Sequence, residues 1–157
     1  MINSIKSAWS NGYFSISSDS AGTTLSKTVG NLNKLLYNIN LTNFIVEFDY
    51  ISGSGADMCF GFRVENSSHD YSSYLGYYGN KYRFGANSGT EKNITRSAPS
   101  NNHIKLEITP TSHSFYIDDV LIDTVTPSNS TTNQYVGFYL SYENSNFKLK
   151  NFEIKPL

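Results

Sequence analysis

Cysteine is nearly absent: Cys59 is the only one, so no internal disulfide can staple the fold, and cysteine usage says nothing about redox compartment. It lies in an apolar-alternating run, Met58 to Val64, with no candidate base nearby to make its thiol reactive. Charge is also scarce. Charged residues are 16% of the 157, and 12 basic against 13 acidic residues leave a formal net charge of −1. The basic residues are scattered singly along the sequence. They form neither the concentrated positive field that displaces counterions from phosphates nor a polybasic patch for anionic lipid, so neither nucleic acid nor a membrane surface is an expected partner. No apolar run approaches the roughly 18 residues that span a bilayer, and membrane insertion is not expected. Met1 to Asn11 lacks the charged start and apolar stretch of a secretory signal. The chain is therefore expected to be cut from a longer one or to reach its location by another route. Helical periodicity is confined to Leu32 to Tyr37, too short to stand alone and flanked by Asn.

Aromatic residues, by contrast, are abundant at 15%, with 12 Tyr and 10 Phe against one Trp. A core accounts for Phe; so much Tyr is not expected to be wholly hidden, because each buried hydroxyl needs a partner. Tyr, Ser, Asn and Gly together are the composition of recognition surfaces, where flat rings meet adaptable hydrogen-bonding groups. Alternation with period two runs through the chain. Phe44, Val46, Phe48 and Tyr50 share one side of a strand, opposed by Ile45, Glu47, Asp49 and Ile51, and Ser52-Gly53-Ser54-Gly55 reads as the loop that ends it. Met58, Phe60, Phe62 and Val64 form a second apolar row. Tyr71 to Tyr78 and Lys81 to Gly85 meet across Gly79-Asn80, a two-residue hairpin signal. Ile104 to Ile108 follows, then Phe115 and Ile117 facing Val120 and Ile122 across Asp118-Asp119, then Val136 to Leu140. In the last strand Phe147 and Leu149 give way to Phe152 and Ile154, a phase skip at Lys150-Asn151 that one extra residue, a β-bulge, would produce. Tyr13 to Ile16 and Thr24 to Val29 also read as strands. Strands at this spacing with polar turns between them indicate one all-β domain over residues 1–157, a sandwich or barrel.

The order Ile104 to Ile108, Phe115 to Ile122, Tyr135 to Leu140 and Phe147 to Ile154 resembles the concanavalin A-like lectin/glucanase sandwiches, particularly laminin-G-like and related carbohydrate-binding domains. With the strands at 44–50 and 58–64, the resemblance spans about two-thirds of the chain. In such domains a hairpin with Asp-Gly precedes a Gly-Phe strand; here Asp119-Val120 stands where Gly is usual. The resemblance implies a two-sheet antiparallel jelly-roll sandwich, a ligand on a sheet face or in loops at one edge, and an extracellular, cell-surface or virion setting such as an adhesin or phage tail. A fold hosts many activities, so it implies no particular one.

The glucanases of this superfamily carry Glu-x-Asp-x-x-Glu, which sets carboxylates on one strand face. Retaining hydrolysis needs two of them about 5 Å apart. Glu47 and Asp49 match the first two positions, but Ile51 and Ser52 stand where the third should be, so no catalytic set is expected. The alternative for Glu47 and Asp49 is a solvent-facing pair of strand residues partnered by Arg63. His69, His103 and His113 lack metal spacing, no Gly-x-Ser-x-Gly elbow exists, and no Gly-rich loop carries the Lys of a phosphate cradle. Asp118-Asp119 suits a Ca²⁺ loop or, equally, a plain turn; no other cofactor is implied.

A two-residue turn at Gly79-Asn80 fixes the register of its arms. Leu75, Tyr77, Tyr82 and Phe84 fall on one face, apolar enough for a core; Tyr74, Gly76, Tyr78, Lys81 and Arg83 fall on the other, which two cations keep in water. Were the neighbouring strands to pair in sequence order, Arg63, Glu65, Glu47 and Asp49 would extend that open face. Rings for the apolar side of a sugar, with donors for its hydroxyls or carboxylate, make it a candidate glycan site. The alternatives are a solvated sheet, or a homotrimeric tip whose tyrosines are buried between subunits.

Overall fold

Alternating apolar residues in most of the thirteen strands among the described residues commit the chain to two antiparallel sheets with a shared interior. The computed structural model describes residues 14–27, 33–54, 58–64, 71–78, 81–86, 94–97, 101–127, 135–140 and 146–157. The strands are β1 (Phe14–Asp19), β2 (Gly22–Lys27), β3 (Asn33–Asn38), β4 (Phe44–Ser54), β5 (Met58–Val64), β6 (Tyr71–Tyr78) and β7 (Lys81–Ala86). They continue as β8 (Ile94–Ser97), β9 (Asn102–Ile108), β10 (His113–Ile117), β11 (Val120–Val125), β12 (Tyr135–Leu140) and β13 (Asn146–Pro156). A seven-stranded sheet has the order β1-β2-β13-β4-β9-β10-β11, and a six-stranded sheet the order β3-β12-β5-β6-β7-β8. This is the expected all-β, two-sheet jelly-roll sandwich.

Inward residues of both sheets make the core. Phe44, Val46 and Phe48 of β4, Ile104, Leu106 and Ile108 of β9, and Phe60 and Phe84 of the other sheet are all fully buried. Each such side chain contributes roughly 1.5–3 kcal/mol by leaving water. Aromatic rings bridge the sheets: Tyr50 lies 5.1 Å from Tyr77 and 5.6 Å from Tyr82, Phe84 lies 5.2 Å from Phe115, and Phe60 lies 6.1 Å from Phe152. Among the described residues, three tyrosines therefore serve the interior. Burial pushes the hydroxyls of Tyr50 and Tyr82 far above the ordinary phenol range, and the Tyr50 hydroxyl is hydrogen-bonded to Tyr77.

Several local expectations hold and others shift. The β6–β7 register pairs Tyr78 with Lys81, Tyr77 with Tyr82, Gly76 with Arg83 and Leu75 with Phe84. The phase skip in β13 is a register shift between Lys150 and Glu153, with Asn151 at φ 54°. Asp118 and Asp119 sit at φ 49° and 62°, the paired left-handed geometry of a tight hairpin turn. Ile117 pairs with Val120 and Tyr116 with Leu121, but a bulge then shifts the register, so Phe115 faces Asp123 instead of Ile122. Residues 33–38, the one stretch with helical spacing, form a strand paired with β12. β4 runs through Gly53 to Ser54, into the segment that reads as a loop in the sequence. The short edge strand β8 carries no alternation long enough to announce it.

Candidate functional site

The outer face of the six-stranded sheet holds the aromatic–cation group. Leu75, Tyr77, Tyr82 and Phe84 are buried inside the sandwich, while Lys81 and Arg83 are exposed and Tyr74 is half-buried. The side chains of Tyr78 and Arg63 lie outside the described residues. Around Tyr74 the sheet is bare: its in-register neighbours are Gly61 on β5 and Gly85 on β7, and Gly61 is paired in turn with Gly137 on β12. Gly76 stands opposite Arg83, two residues along β6 from Tyr74. Neighbours without side chains leave room for the tyrosine ring to lie along the sheet, a known way to cover strand glycines. The half-burial of Tyr74 over buried Gly61 and Gly85 fits that placement.

Glu47 and Asp49 do not join this face. The chain leaves β4 and enters β5 in the opposite sheet, so the expected pairing in sequence order fails; β4 pairs instead with β9 and β13. The two carboxylates point out from the other side of the sandwich, with partners there. Lys155 donates to Glu47 at 2.6 Å, and Lys155 Nζ also lies 3.6 Å from Glu153. Asp49 accepts from Asn151 at 2.7 Å and is 2.8 Å from His103 Nδ1. Burial pulls the Asp49 carboxyl up, but the hydrogen bonds with His103 and Asn151 outweigh it and hold the group below the ordinary carboxylate range. Next in the ladder Lys105 sits 3.1 Å from Glu107 and 4.1 Å above the Tyr116 ring, whose hydroxyl donates to Glu107 at 2.8 Å. Lys148 pairs with Asp19 at 2.8 Å. These cations and carboxylates pair within their own face, and Arg63, the anticipated partner of Glu47 and Asp49, belongs to β5 of the opposite sheet. Alternating charge on β4, β9 and β13 is the signal that could have paired these strands.

At the hairpin, Asp118 accepts from the His103 N–H at 2.8 Å through Oδ1 and from the Asn102 amide at 2.9 Å through Oδ2. Its own N–H donates to the His103 carbonyl at 2.8 Å. Both carboxylate oxygens thus have a structural role in the turn. Among the described residues, no group of three or more His, Cys, Asp or Glu side chains is placed to hold a metal ion.

Strand order and register together define a concanavalin A-like jelly roll. Its similarities among solved structures are of fold, at low sequence identity. A sialidase superposes with a TM-score of 0.73 over 96% of this chain at 12% identity, and this chain spans only 17% of that protein. The carbohydrate-binding module CBM66 from Bacillus subtilis gives 0.65 at 13% identity, covering 94% of this chain and 95% of the module. Bacillus licheniformis β-glucanase gives 0.62 at 15% identity, covering 95% and 89%. Binding modules and enzymes both occur among these folds. Neither a protein-family model nor a curated protein matches the sequence.

Proposed function

We propose that residues 1–157 form one non-catalytic carbohydrate-recognition domain, which binds glycan on the outer face of the six-stranded sheet and attaches a surface, adhesin or tail protein to a glycan coat outside the cell. The observation that carries this is Tyr74, a ring bordered by glycine on both sides and sharing its face with exposed Lys81 and Arg83. A ring lying along a sheet offers its π face to the C–H side of a sugar, and nearby cations donate to hydroxyls or a carboxylate. The likeness to a carbohydrate-binding module over nearly the whole length of both chains supports it.

A hydrolytic role has less support. A general acid needs a carboxyl pKa raised toward the working pH, and that of Asp49 is moved the other way. Glu47 is held by Lys155, and the third carboxylate of the glucanase pattern is absent from the sequence.

The test is a glycan array probed with the wild-type domain and with Tyr74→Ala. Loss of a stacked ring should weaken binding about tenfold or more, as truncating a central aromatic contact does, in a variant that uncovering Gly61 and Gly85 destabilises but leaves folded at the assay temperature. Undiminished binding by Tyr74→Ala would remove the site from this face. No binding at all, together with a trimeric mass in solution, would favour an assembly module; turnover on a β-glucan panel would favour a glycosidase.

A further inference from the structure

Tyr82 and Asn102 each carry a polar atom into the interior that meets no hydrogen-bond partner among the described residues: the phenol oxygen Oη and the amide oxygen Oδ1. Both residues are more than nine-tenths buried, Tyr82 at 1% exposure and Asn102 at 8%. A buried polar group left unpaired carries the whole cost of its lost hydration, and native interiors seldom tolerate one. The nearby Tyr50 hydroxyl shows the ordinary solution, being hydrogen-bonded to Tyr77 and to the Gly53 backbone.

The two orphaned atoms have neighbours in common. Asn102 on β9 is the register partner of Tyr50 on β4, and the Tyr50 ring lies 5.6 Å from that of Tyr82 on the facing sheet. Asn102 donates its amide N–H to Asp118 Oδ2 at 2.9 Å. Burial first, then Tyr50 and Tyr77, push the Tyr82 phenol upward, and the charge of that same Asp118 adds to them. A carboxylate only accepts, so the bond to Asp118 fixes the amide's orientation and leaves Oδ1, not Nδ2, as its unpaired end. Asp118 also has capacity to spare. Each of its oxygens accepts one hydrogen bond, from His103 and Asn102, and keeps a second lone pair.

We infer that the interior binds one water molecule here, beneath the Asp118-Asp119 turn, as a fixed part of the fold that links the two sheets. Tyr82 donates to it, it donates one proton to Asn102 Oδ1, and its second proton faces the Asp118 carboxylate. The senses match, since the phenol supplies a donor and the amide and carboxylate supply acceptors. Three hydrogen bonds are the usual complement of a buried water. Tyr82 and Asn102 do not bond to each other directly. A donor and an acceptor held apart in a polar place are what a water bridges; an apolar lining would stay dry.

Crystal structures of the protein and of Tyr82→Phe, with thermal unfolding of both, test this. The expected density is that of a single water about 2.7–3.2 Å from both Tyr82 Oη and Asn102 Oδ1. Tyr82→Phe should lower the thermal midpoint by about 2–4 °C, the shift that one lost hydrogen bond gives in a domain of this size. The sign of that shift discriminates. A hydroxyl with no partner burdens the fold, and its removal would hold or raise the midpoint. A midpoint held or raised in Tyr82→Phe would therefore overturn the inference, as would a dry gap between the two atoms. A direct hydrogen bond from Tyr82 to Asn102 in the crystal would do the same. So would a metal ion in that place, seen as a stronger peak with oxygens at about 2.3–2.6 Å and a wild-type midpoint that a chelator lowers.

Discussion

Replacing Gly53 by alanine tests how tightly the aromatic interior is packed at the point where the chain leaves one sheet for the other. Gly53 pairs with Phe147 in the seven-stranded sheet, and a Cβ built on it would lie 2.8 Å from Tyr77 Cε1 and 3.3 Å from Cδ1 and Cζ. Carbon atoms need about 3.5 Å, so the ring must retreat by about 0.7 Å. It has little room to do so: Tyr77 is 5% exposed, with Tyr50, Phe147 and Tyr82 at ring distances of 5.1, 6.1 and 6.4 Å. Two effects compete. Alanine restricts the unfolded chain and would by itself stabilise by about 0.4–1 kcal/mol. Overpacking a filled core costs about 1–3 kcal/mol, so the clash wins. The expected net loss is about 1–2 kcal/mol, and the thermal midpoint should fall by about 2–8 °C in a domain of this size. Chemical and thermal unfolding of Gly53→Ala measure both. The double variant with Tyr77→Leu supplies the control: with the ring gone, the same alanine should cost nothing or stabilise slightly, a coupling of at least about 1 kcal/mol. Stabilisation by Gly53→Ala in the wild-type background, or an undiminished cost in the Tyr77→Leu background, would refute the ring as the cause.

Other consequences are measurable by the same means. Asp49→Asn should cost about 1 kcal/mol at neutral pH, the scale of a partly exposed hydrogen bond to a charged group. Because the folded carboxyl is held below its ordinary value, that contribution is present above the unfolded pKa of about 3.9 and lost as pH falls through the folded one; the gap between wild type and variant should close in acid, and a constant gap would contradict the pairing. Asp119→Gly should raise stability by about 0.5–1 kcal/mol by relieving a left-handed non-glycine residue. Asp118→Gly should lower it by about 1–2 kcal/mol, since that carboxylate holds the His103 N–H and the Asn102 amide. Equal effects from the two would show that the turn, and not the carboxylate, decides.

Local physics was legible in the residues. Gly79-Asn80 set the β6–β7 register, and with it the division of Tyr77 and Tyr82 from Tyr74, Lys81 and Arg83. The skip from Leu149 to Phe152 announced the bulge, and Asp118-Asp119 the tight turn. What failed was distant. A short loop between two strands fits a hairpin and a crossing between sheets alike, and nothing around Gly53 distinguishes them. Glu47 and Asp49 were therefore drawn to the wrong side, since their true partners, His103 and Lys155, lie far along the sequence.

The position of β13 has a consequence for how the molecule is made. It is the last strand of the thirteen along the chain, yet it lies between β2 and β4, and the β1–β2 pair joins its sheet only through it. A ribosome thus releases the first hairpin long before its place exists. Until the final strand emerges, β1–β2 and the open side of β4 present unpaired edges, where mispairing with another nascent copy competes with closure. Assembly of the seven-stranded sheet therefore waits on β13, which follows the other described strands along the chain.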